Sequence, residues 1–347
     1  MREFKVNGKI FNDASTPFVI AEVGHNHQGN LDTALKLIRA ASHAGASAVK
    51  FQKRSNKSLF SKDAYDAPYT GENSFGKTYG LHREALEFGV DEYKECIEEA
   101  KRCQIDFFAT AFDFESADFL ASLEMPAYKI ASGDLKTIPL IEYVAKIGKP
   151  VILSTGGGSI VDIDRAVQAV LKHNKNLALL QCTAGYPPEY QELNLRVIES
   201  FRLRYPEITV GYSGHDSGIA MSLVAYILGA RVIEKHFTLN RAMKGTDHAF
   251  SLEPQGMQKL VRDVERAQQA LGDGVKAAYP SEVAPLKKMG KSIHFTRSIQ
   301  KSEVLKASDI DFRSPGDGIP PYMHEEFIGK SLTRDVQSGT RLSTEDF

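Results

Sequence analysis

The sequence lacks three features that would place it outside the cell, in a membrane or on nucleic acid. Its three cysteines, Cys96, Cys103 and Cys182, are odd in number and too few for a disulfide framework. No run of about 18 or more apolar residues occurs, and residues 1–5 lack an apolar signal core. Neither charge is in excess, since 43 Lys and Arg stand against 44 Asp and Glu. We therefore expect a cytoplasmic protein that binds neither nucleic acid nor a membrane.

Eight short apolar runs rich in β-branched residues recur along residues 18–236, and each run leads into polar residues. Strands that are buried on both faces of a parallel sheet are apolar along their length, so the polar residues mark one common end. These residues are Glu22, Lys50 and Gln52, Thr110, Ser132, Ser154, Tyr186, Ser213 and His215, and Glu234 and His236. Enzymes with a (βα)8 barrel keep their active sites at this end of the strands.

Segments with helical periodicity alternate with the eight apolar runs. They cover residues 31–42, 90–103, 116–123, 139–147, 161–171, 195–203, 218–228 and 254–271. Short connections favour parallel strands with right-handed crossovers, and an eightfold repeat closes most readily into a barrel. A doubly wound open sheet is the alternative, but it would gather polar strand ends at one switch point. The predicted fold class is α/β, with a (βα)8 TIM barrel.

The residues outside this repeat predict three further parts. Residues 4–10 predict a hairpin with its turn at Asn7-Gly8, placed to close the bottom of the barrel. The loop of residues 54–88 is long and rich in aromatic residues, which favours an ordered, functional segment. We assign residues 1–275 to the barrel with its hairpin, residues 276–290 to a linker and residues 291–347 to a small β-rich domain.

Two histidines at neighbouring strand ends predict a metal site. His215 follows the seventh run and His236 closes the eighth, so both imidazoles would point into the barrel mouth. Two imidazoles and an oxygen ligand such as Glu22 suit Mn, Fe, Co or Zn, and open positions would polarise a carbonyl or activate water. The alternative is that the histidines only bind backbone groups at the rim. Their placement beside an acid favours metal binding.

A second group of strand-end residues is basic or carries a hydroxyl. Lys50 and Lys129 lie inside apolar runs, where an unpaired charge is costly to bury. Converging ammonium and hydroxyl groups bind a dianion through charge-assisted hydrogen bonds, so the pattern predicts a phosphate pocket. The members of this pocket are Lys50, Thr110, Lys129, Ser132, Ser154 and Ser213. We interpret Gly156-Gly157-Gly158 as a turn, with a phosphate cradle as the alternative, and Cys182 as buried filler rather than a nucleophile.

Six motifs that span the barrel in order resemble the sialic acid synthase family. They are IAEVGHNHQG at 20–29, VKFQ at 49–52, YKIASGD at 128–134, QCTAGYP at 181–187, GYSGH at 211–215 and IEKHFTL at 233–239. The tail resembles the family's antifreeze-like (SAF, β-clip) domain. The resemblance implies a transferase that condenses phosphoenolpyruvate with N-acetylmannosamine, or with its 6-phosphate. The expected products are phosphate, released by C–O cleavage, and N-acetylneuraminate or its 9-phosphate.

The resemblance also implies roles for individual residues. His215 and His236 would hold Mn²⁺, with Mg²⁺ or Co²⁺ as alternatives, and Glu22 would orient water and manage protons. The predicted phosphate pocket would bind phosphoenolpyruvate. The sugar would contact Gln52, Asp134, Tyr186 and Asp247, and Arg313 from the other subunit. This last contact is expected because the family's tail covers the partner's barrel mouth in a domain-swapped homodimer.

Two departures from the family pattern are present. Ala184 stands where family members often have an Asn or Ser that assists the phosphate, so that contact should be absent. In the tail, Ser314 separates Arg313 from Pro315-Gly316, where the family has Arg-Pro-Gly, so the arginine stands one residue farther from the proline than in the family.

Several alternatives stay open at this point. Residues 77–80 (KTYG) and 244–248 (KGTDH) resemble the members that take sugar 6-phosphates. Other members use N-acetylmannosamine itself, or diacetamido sugars that lead to legionaminic or pseudaminic acid. Related enzymes that condense phosphoenolpyruvate with arabinose or erythrose phosphates are not expected to carry the tail. A carbohydrate-binding protein without activity would need neither both histidines nor the buried lysines.

Overall fold

The chain divides after Gly272 into two units, and the first contains a closed barrel of eight parallel strands. The computed structural model describes residues 2–347. The barrel strands follow a hairpin of β1 (Glu3–Val6) and β2 (Lys9–Asn12); they are β3 (Phe18–Gly24), β4 (Ala48–Lys53), β5 (Asp106–Ala111), β6 (Tyr128–Ile130), β7 (Val151–Ser154), β8 (Leu177–Cys182), β9 (Thr209–Gly214) and β10 (Val232–His236). Sequence neighbours pair in parallel, and β10 closes the barrel against β3. The predicted TIM barrel is confirmed.

Helices connect the strands and pack around them. They are α1 (Leu31–His43), α2 (Asn56–Leu59), α3 (Lys62–Asp66), α4 (Tyr79–Glu84), α5 (Val90–Arg102), α6 (Phe114–Ser122), α7 (Ile138–Lys146), α8 (Ile160–Leu171), α9 (Val197–Arg204), α10 (Ala220–Ile227) and α11 (Pro254–Leu271). Capping side chains set several starts: Asn30 accepts the backbone N–H of Thr33 before α1, and Asp113 accepts that of Ser116 before α6. Helix α6 therefore begins two residues earlier than its periodicity predicts.

The barrel strands are buried along their length, as a sheet covered on both faces requires. Every residue of β3, β5, β8 and β9 is buried. The helices contribute apolar faces to the same core, such as Leu37 and Ile38 of α1 and Leu140 and Ile141 of α7. The polar strand ends are thus held on one continuous apolar support.

The amino-terminal hairpin covers the amino ends of the barrel strands. Asn7 and Gly8 form its turn with φ angles of 47° and 75°, the conformation that a two-residue turn between twisted strands requires. Phe4 is fully buried, and its ring lies 6.2 Å from the ring of Phe18 at the start of β3. Asn7 Nδ2 donates to Asp106, the first residue of β5, at 2.6 Å. The hairpin therefore closes the barrel at the end opposite the polar residues.

The long loop of residues 54–88 is ordered by aromatic packing. It contains the short helices α2, α3 and α4. The ring of Tyr79 lies 5.0 Å from Phe60 and 5.5 Å from Tyr69, and Tyr69 lies 4.5 Å from His82. Such ring pairs add attraction beyond the apolar area they bury. The loop thus forms a small structured layer of its own after β4.

The second unit has a separate core around a two-stranded antiparallel sheet of β11 (Ser292–Phe295) and β12 (Ile310–Arg313). Ile293, Phe295, Leu305 and Leu332 are among its buried residues. The segment predicted as a linker contains a 3-10 turn, Pro280–Glu282, and a helix, α12 (Val283–Met289). Its two prolines do not prevent this, because Pro280 occupies the first position of the 3-10 turn and Pro285 lies in the first turn of α12, where no N–H is needed. None of the helices in residues 2–347 combines the length and the apolar composition of a membrane span.

The hairpin contact gives a prediction about stability. Phe4→Ala should destabilise the first unit by about 3–5 kcal/mol, because it removes a fully buried ring and leaves a cavity. The matched control is Ile10→Ala on the same hairpin, where the side chain is 48% exposed and the cost should stay within about 0.5 kcal/mol. Differential scanning calorimetry of both variants measures the effect. Equal melting temperatures for the two variants would contradict the assigned packing.

Candidate functional site

Alternate side chains of the barrel strands point into one cavity of about 530 Å³ at the carboxyl ends of the strands. On β10, Glu234 and His236 line this cavity, whereas Lys235 between them does not. On β4, Lys50 and Gln52 are likewise two residues apart and both line it. Because successive side chains of a strand point to opposite faces, this period of two is what places the polar residues together.

The structure brings together most of the side chains that the sequence singled out. The cavity is lined by Glu22, Lys50, Gln52, Thr110, Lys129, Ser132, Ser154, Tyr186, Ser213, His215, His236 and Asp247. Asp134 is not among the lining residues; it lies in the 3-10 turn Ser132–Asp134, where it accepts a hydrogen bond from Thr137 Oγ1 at 3.2 Å. Arg313 lies on β12 in the second unit and pairs with Asp311 at 2.7 Å.

Four buried charges form a cluster that we call the ionic floor: Glu22, Lys50, Lys129 and Glu234. Lys50 Nζ lies 2.6 Å from Glu22 and 3.8 Å from Glu234, and Lys129 Nζ lies 3.2 Å from Glu234. Each of these side chains is at most 5% exposed. The lysines that the sequence analysis treated as unpaired therefore have carboxylate partners inside the protein, which offsets the cost of burying them.

The two carboxylates of the ionic floor differ in proton affinity. Burial raises the pKa of Glu234, but Lys129 and Lys50 outweigh it and bring that pKa to about 2. Burial also raises the pKa of Glu22, where the charge of Glu234 adds to the effect, and Lys50 and Gln52 do not cancel it. Glu234 thus stays charged as a counter-ion, whereas Glu22 takes up a proton at a higher pH than an ordinary glutamate does. Carboxylates held apart in this way can divide acid–base roles between them.

His215 and His236 lie side by side in the cavity, with their ring centroids 5.2 Å apart. His215 Nδ1 lies 2.9 Å from the carbonyl oxygen of Thr183, a contact that fixes the ring. Burial lowers the pKa of His215, but its contact with Cys182 outweighs this effect and raises that pKa. His236 Nδ1 is buried and has no hydrogen-bond partner in the described residues; Asp247 lies 3.8 Å from it. Burial and the charge of His215 lower the pKa of His236 to about 3, against the effect of Asp247. Its imidazole is therefore neutral at physiological pH.

This pair fits a transition-metal ion that takes its other ligands from substrate or water. Neutral imidazole nitrogens without a partner are suitable ligands for Mn²⁺ and similar ions. Within residues 2–347, no three His, Cys, Asp or Glu side chains are arranged to hold an ion. Glu22, considered from the sequence as the oxygen ligand, is instead engaged by Lys50 and by Gln52 Nε2, which donates to it at 2.7 Å. His215 and His236 are thus the residues that could hold a metal ion.

The hydroxyl side of the cavity contains Ser132, Ser154 and Ser213. Ser213 Oγ donates to Glu234 at 3.0 Å, and the backbone N–H of Gly156 donates to Ser132 Oγ at 3.0 Å. A Cβ at Gly156 would lie 2.8 Å from that Ser132 oxygen, so a side chain there would disturb it. Ser154 Oγ is buried and has no partner in the described part of the chain. Its hydroxyl is available to a bound ligand.

Five side chains of the cavity lining were not predicted from the sequence as site residues. They are Arg54, Arg83, Phe112, Thr246 and Glu234, the last of which acts as a counter-ion. Arg54 offered a signal, because it lies two residues beyond Gln52 on the same inward-facing series. Arg83 offered none, since α4 is brought to the cavity by the packing of the long loop. Cys182, interpreted as filler, is buried but also lines the cavity.

Comparisons with known proteins agree with the barrel and the tail. The model of the NeuB family matches residues 37–276, and that of the SAF domain matches residues 290–347. The chain is 39% identical to N-acetylneuraminate-9-phosphate synthase of Homo sapiens over 94% of this chain and 92% of that protein. It is also 39% identical to N,N'-diacetyllegionaminic acid synthase of Campylobacter jejuni, over 92% of this chain and 96% of that protein.

One solved structure extends the similarity to three dimensions. It is that of N-acetylneuraminic acid (sialic acid) synthetase from Leptospira borgpetersenii, in complex with citrate. The two chains are 34% identical with a TM-score of 0.71, covering 82% of this chain and 95% of that one. The resemblance to the sialic acid synthases and the antifreeze-like tail is confirmed. On the family match to residues 37–276 and these identities, the chain belongs to the NeuB family.

Proposed function

We propose that this chain condenses phosphoenolpyruvate with an N-acylated amino sugar of the N-acetylmannosamine type. The products would be phosphate and a nine-carbon 2-keto acid, N-acetylneuraminate or its 9-phosphate. One observation carries the proposal: a single cavity joins two buried lysines and a row of hydroxyls to a pair of imidazoles. Relatives whose names state this type of product, at 39% identity over most of the chain, support it.

Phosphoenolpyruvate would bind at the ionic floor and at the hydroxyls of Thr110, Ser132, Ser154 and Ser213. An ammonium group has three donors, so Lys50 and Lys129 can keep their carboxylate partners and still donate to phosphate oxygens. The low dielectric of the buried floor strengthens these charge-assisted hydrogen bonds. The amino sugar would occupy the part of the cavity lined by Gln52, Tyr186 and Asp247, and would also contact Asp134, which follows the lining residue Gly133.

In the proposed reaction, the enol carbon of phosphoenolpyruvate attacks the open-chain aldehyde and forms a C–C bond. The aldehyde oxygen takes up a proton, and the carbon that bears the phosphate becomes cationic. Water adds to this carbon and releases a proton, and the C–O bond to phosphate then breaks. A Mn²⁺ ion at His215 and His236, or Mg²⁺ or Co²⁺ in its place, would polarise the aldehyde. Glu22, with its raised pKa, would orient the water and accept its proton.

Glu234 and the two lysines would act mainly through charge. The negative charge of Glu234 would lie next to the region where the cation develops, and fixed charges in a buried cavity stabilise such a species without reorganising. We further propose that the enzyme works in the cytoplasm as a domain-swapped homodimer in which Arg313 of each tail reaches the partner's sugar site.

The assay that tests the proposal follows phosphate release from phosphoenolpyruvate with Mn²⁺ and one sugar at a time. The sugars are N-acetylmannosamine, its 6-phosphate and a 2,4-diacetamido hexose. The last one tests the second candidate, a synthase of legionaminic or pseudaminic acid, which the Campylobacter jejuni relative favours. Release with one sugar supports a synthase and selects its acceptor. Sugar binding without release from any of the three would contradict the proposal and favour a carbohydrate-binding protein.

Metal removal should abolish the reaction. A chelator should reduce phosphate release at least about 100-fold, and added Mn²⁺ should restore it. His236→Ala should weaken Mn²⁺ binding, measured by calorimetry, because it removes one of the two imidazoles. His173→Ala, on a histidine away from the cavity, is the matched control. Full activity of the chelator-treated protein would contradict the metal site.

Loss of the Glu22 charge should reduce turnover. Glu22→Gln should lower kcat by about 10²-fold to 10⁴-fold, the usual contribution of a positioned acid or base. In the wild type, activity should fall as the pH drops through a value above 4.5, because the raised pKa causes Glu22 to protonate earlier than an exposed glutamate. Glu98→Gln, at an exposed site, is the control. An unchanged kcat in Glu22→Gln would exclude Glu22 from proton transfer.

Domain swapping predicts complementation between two defective chains. Glu22→Gln has a defective barrel and an intact tail, whereas Arg313→Gln has the reverse. Random pairing in a dimer would leave about a quarter of the barrel sites with both parts intact, so coexpression should restore activity to about that fraction. Arg334→Gln in the same unit is a control that should need no rescue. Without any rescue, the tail does not act on the partner's barrel through Arg313.

A further inference from the structure

Two guanidinium groups line the cavity without a carboxylate partner. Arg54 follows directly after β4, and Arg83 lies on α4; both line the cavity that contains the ionic floor. In residues 2–347, neither guanidinium has an Asp or Glu oxygen within 4 Å. This contrasts with Lys50 and Lys129, whose charges are matched by Glu22 and Glu234.

Arg54 is a buried cation, only 8% exposed. Its guanidinium carbon lies 3.7 Å above the ring of Phe112, and its Nη1 lies 3.3 Å from His25 Nδ1. Burial and the charges of Arg54 and Arg83 hold the pKa of His25 well below its usual range, so the imidazole supplies no charge of its own. Burial, with the charge of Arg83, lowers the pKa of Arg54 to about 10, which still leaves it cationic at neutral pH.

Arg83 is held by its neighbour on the same helix. Its Nε and Nη2 donate to the hydroxyl of Tyr79 at 3.1 Å and 2.9 Å, so the ordered aromatic loop fixes its direction. Lys244 adds a third positive charge nearby, because it lines a small recess together with Arg83 beside Asp247. Positive charges that repel one another are thus gathered in a defined geometry.

The nearest carboxylates are engaged elsewhere. Glu87 accepts from Lys53 Nζ at 3.0 Å and lies 3.2 Å from His25. Asp247 lies 3.8 Å from His236 Nδ1, and its charge acts on Arg54 and Arg83 without a direct ion pair to either. An uncompensated buried cation is costly, and guanidinium forks are matched in shape to phosphate oxygens. The missing counter-charge is therefore expected on a ligand.

The position of this arginine pair differs from that of the ionic floor. Arg54 lies four residues beyond Lys50 along the same chain direction, which corresponds to roughly 13 Å of extended strand. The aldehyde carbon and carbon 6 of an open-chain hexose are at opposite ends of the molecule. A sugar with its aldehyde near the ionic floor and the two histidines would extend carbon 6 toward Arg54 and Arg83.

We propose that Arg54 and Arg83 bind a phosphate group on carbon 6 of the acceptor, so that the substrate is an amino-sugar 6-phosphate. This inference rests on the proposed function and narrows it. Arg54 would donate from the edge of its guanidinium that has no protein partner, and Arg83 from Nη1. The two arginines then determine specificity, and the reaction product carries the phosphate on carbon 9.

The test compares Arg83→Gln with the wild type, using N-acetylmannosamine 6-phosphate and N-acetylmannosamine as acceptors. The wild type should prefer the phosphorylated sugar in kcat/KM, and Arg83→Gln should reduce that preference about 10-fold to 100-fold, as expected for lost hydrogen bonds to a charged group. The effect should appear mainly in KM. The matched control, Arg266→Gln on the exposed surface of α11, should leave the preference unchanged. Arg54→Lys, which keeps the charge but loses the planar fork, should have the same direction of effect as Arg83→Gln.

Two kinetic results would overturn the inference. One is a wild type that prefers the unphosphorylated sugar. The other is a rise in the KM for phosphoenolpyruvate with an unchanged acceptor preference, which would assign the arginines to the first substrate. Melting temperatures of the variants identify any that fail to fold.

Calorimetry separates this inference from the proposed function. If no sugar supports phosphate release, titration of both sugars into the protein still decides the question. Binding that requires the 6-phosphate and is lost in Arg83→Gln would support the arginine subsite without a synthase. Equal binding of the two sugars would reject it.

Discussion

The pairing of buried charges at the carboxyl end of the barrel is the constraint on which the rest of the site depends. Glu22, Lys50, Lys129 and Glu234 come from β3, β4, β6 and β10, so their contacts connect strands across the lumen as well as around the wall. Removing one member would leave its partner charged and buried, at a cost of about 3–5 kcal/mol. The barrel can therefore keep these four charged side chains buried only while all four are present.

The four paired charges also make one end of the cavity electrostatically different from the other. At the floor the protein supplies both signs of charge, so a bound anion adds to an existing network. Arg54 and Arg83, farther along the cavity, have no carboxylate within ion-pair distance, so the proposed phosphate of the acceptor would supply negative charge there. The pair of imidazoles lies in the same cavity, where burial keeps the nitrogens of His236 neutral.

The sequence predicted the fold well because the barrel is encoded locally. Fully buried strands leave continuous apolar runs, and caps such as Asn30 mark helix starts. Twelve lining residues of the cavity followed from the same signal together with the family motifs, since strand ends of a parallel barrel share one mouth. The helices of the long loop were not predicted, because aromatic contacts such as Tyr69 with Tyr79 define them rather than periodicity.

Contacts across the lumen were beyond sequence reasoning. Lys129 and Glu234 are 105 residues apart in the chain, and nothing in either motif shows that the two side chains meet. The lysines therefore looked unpaired until the structure supplied their partners. Arg83 was missed for a similar reason. It lies in the long loop after β4, and the packing of that loop, rather than a strand end, brings it to the cavity.

The hairpin at the amino ends of the barrel strands limits where substrates and products can enter and leave. Because Phe4 and Phe18 pack at the amino ends of the strands, substrates and products both pass through the mouth at the carboxyl ends. In the proposed reaction, phosphoenolpyruvate at Lys50 and Lys129 would have to enter before a sugar that rests against Arg54. By the same geometry, phosphate would leave this end of the cavity after the nine-carbon product.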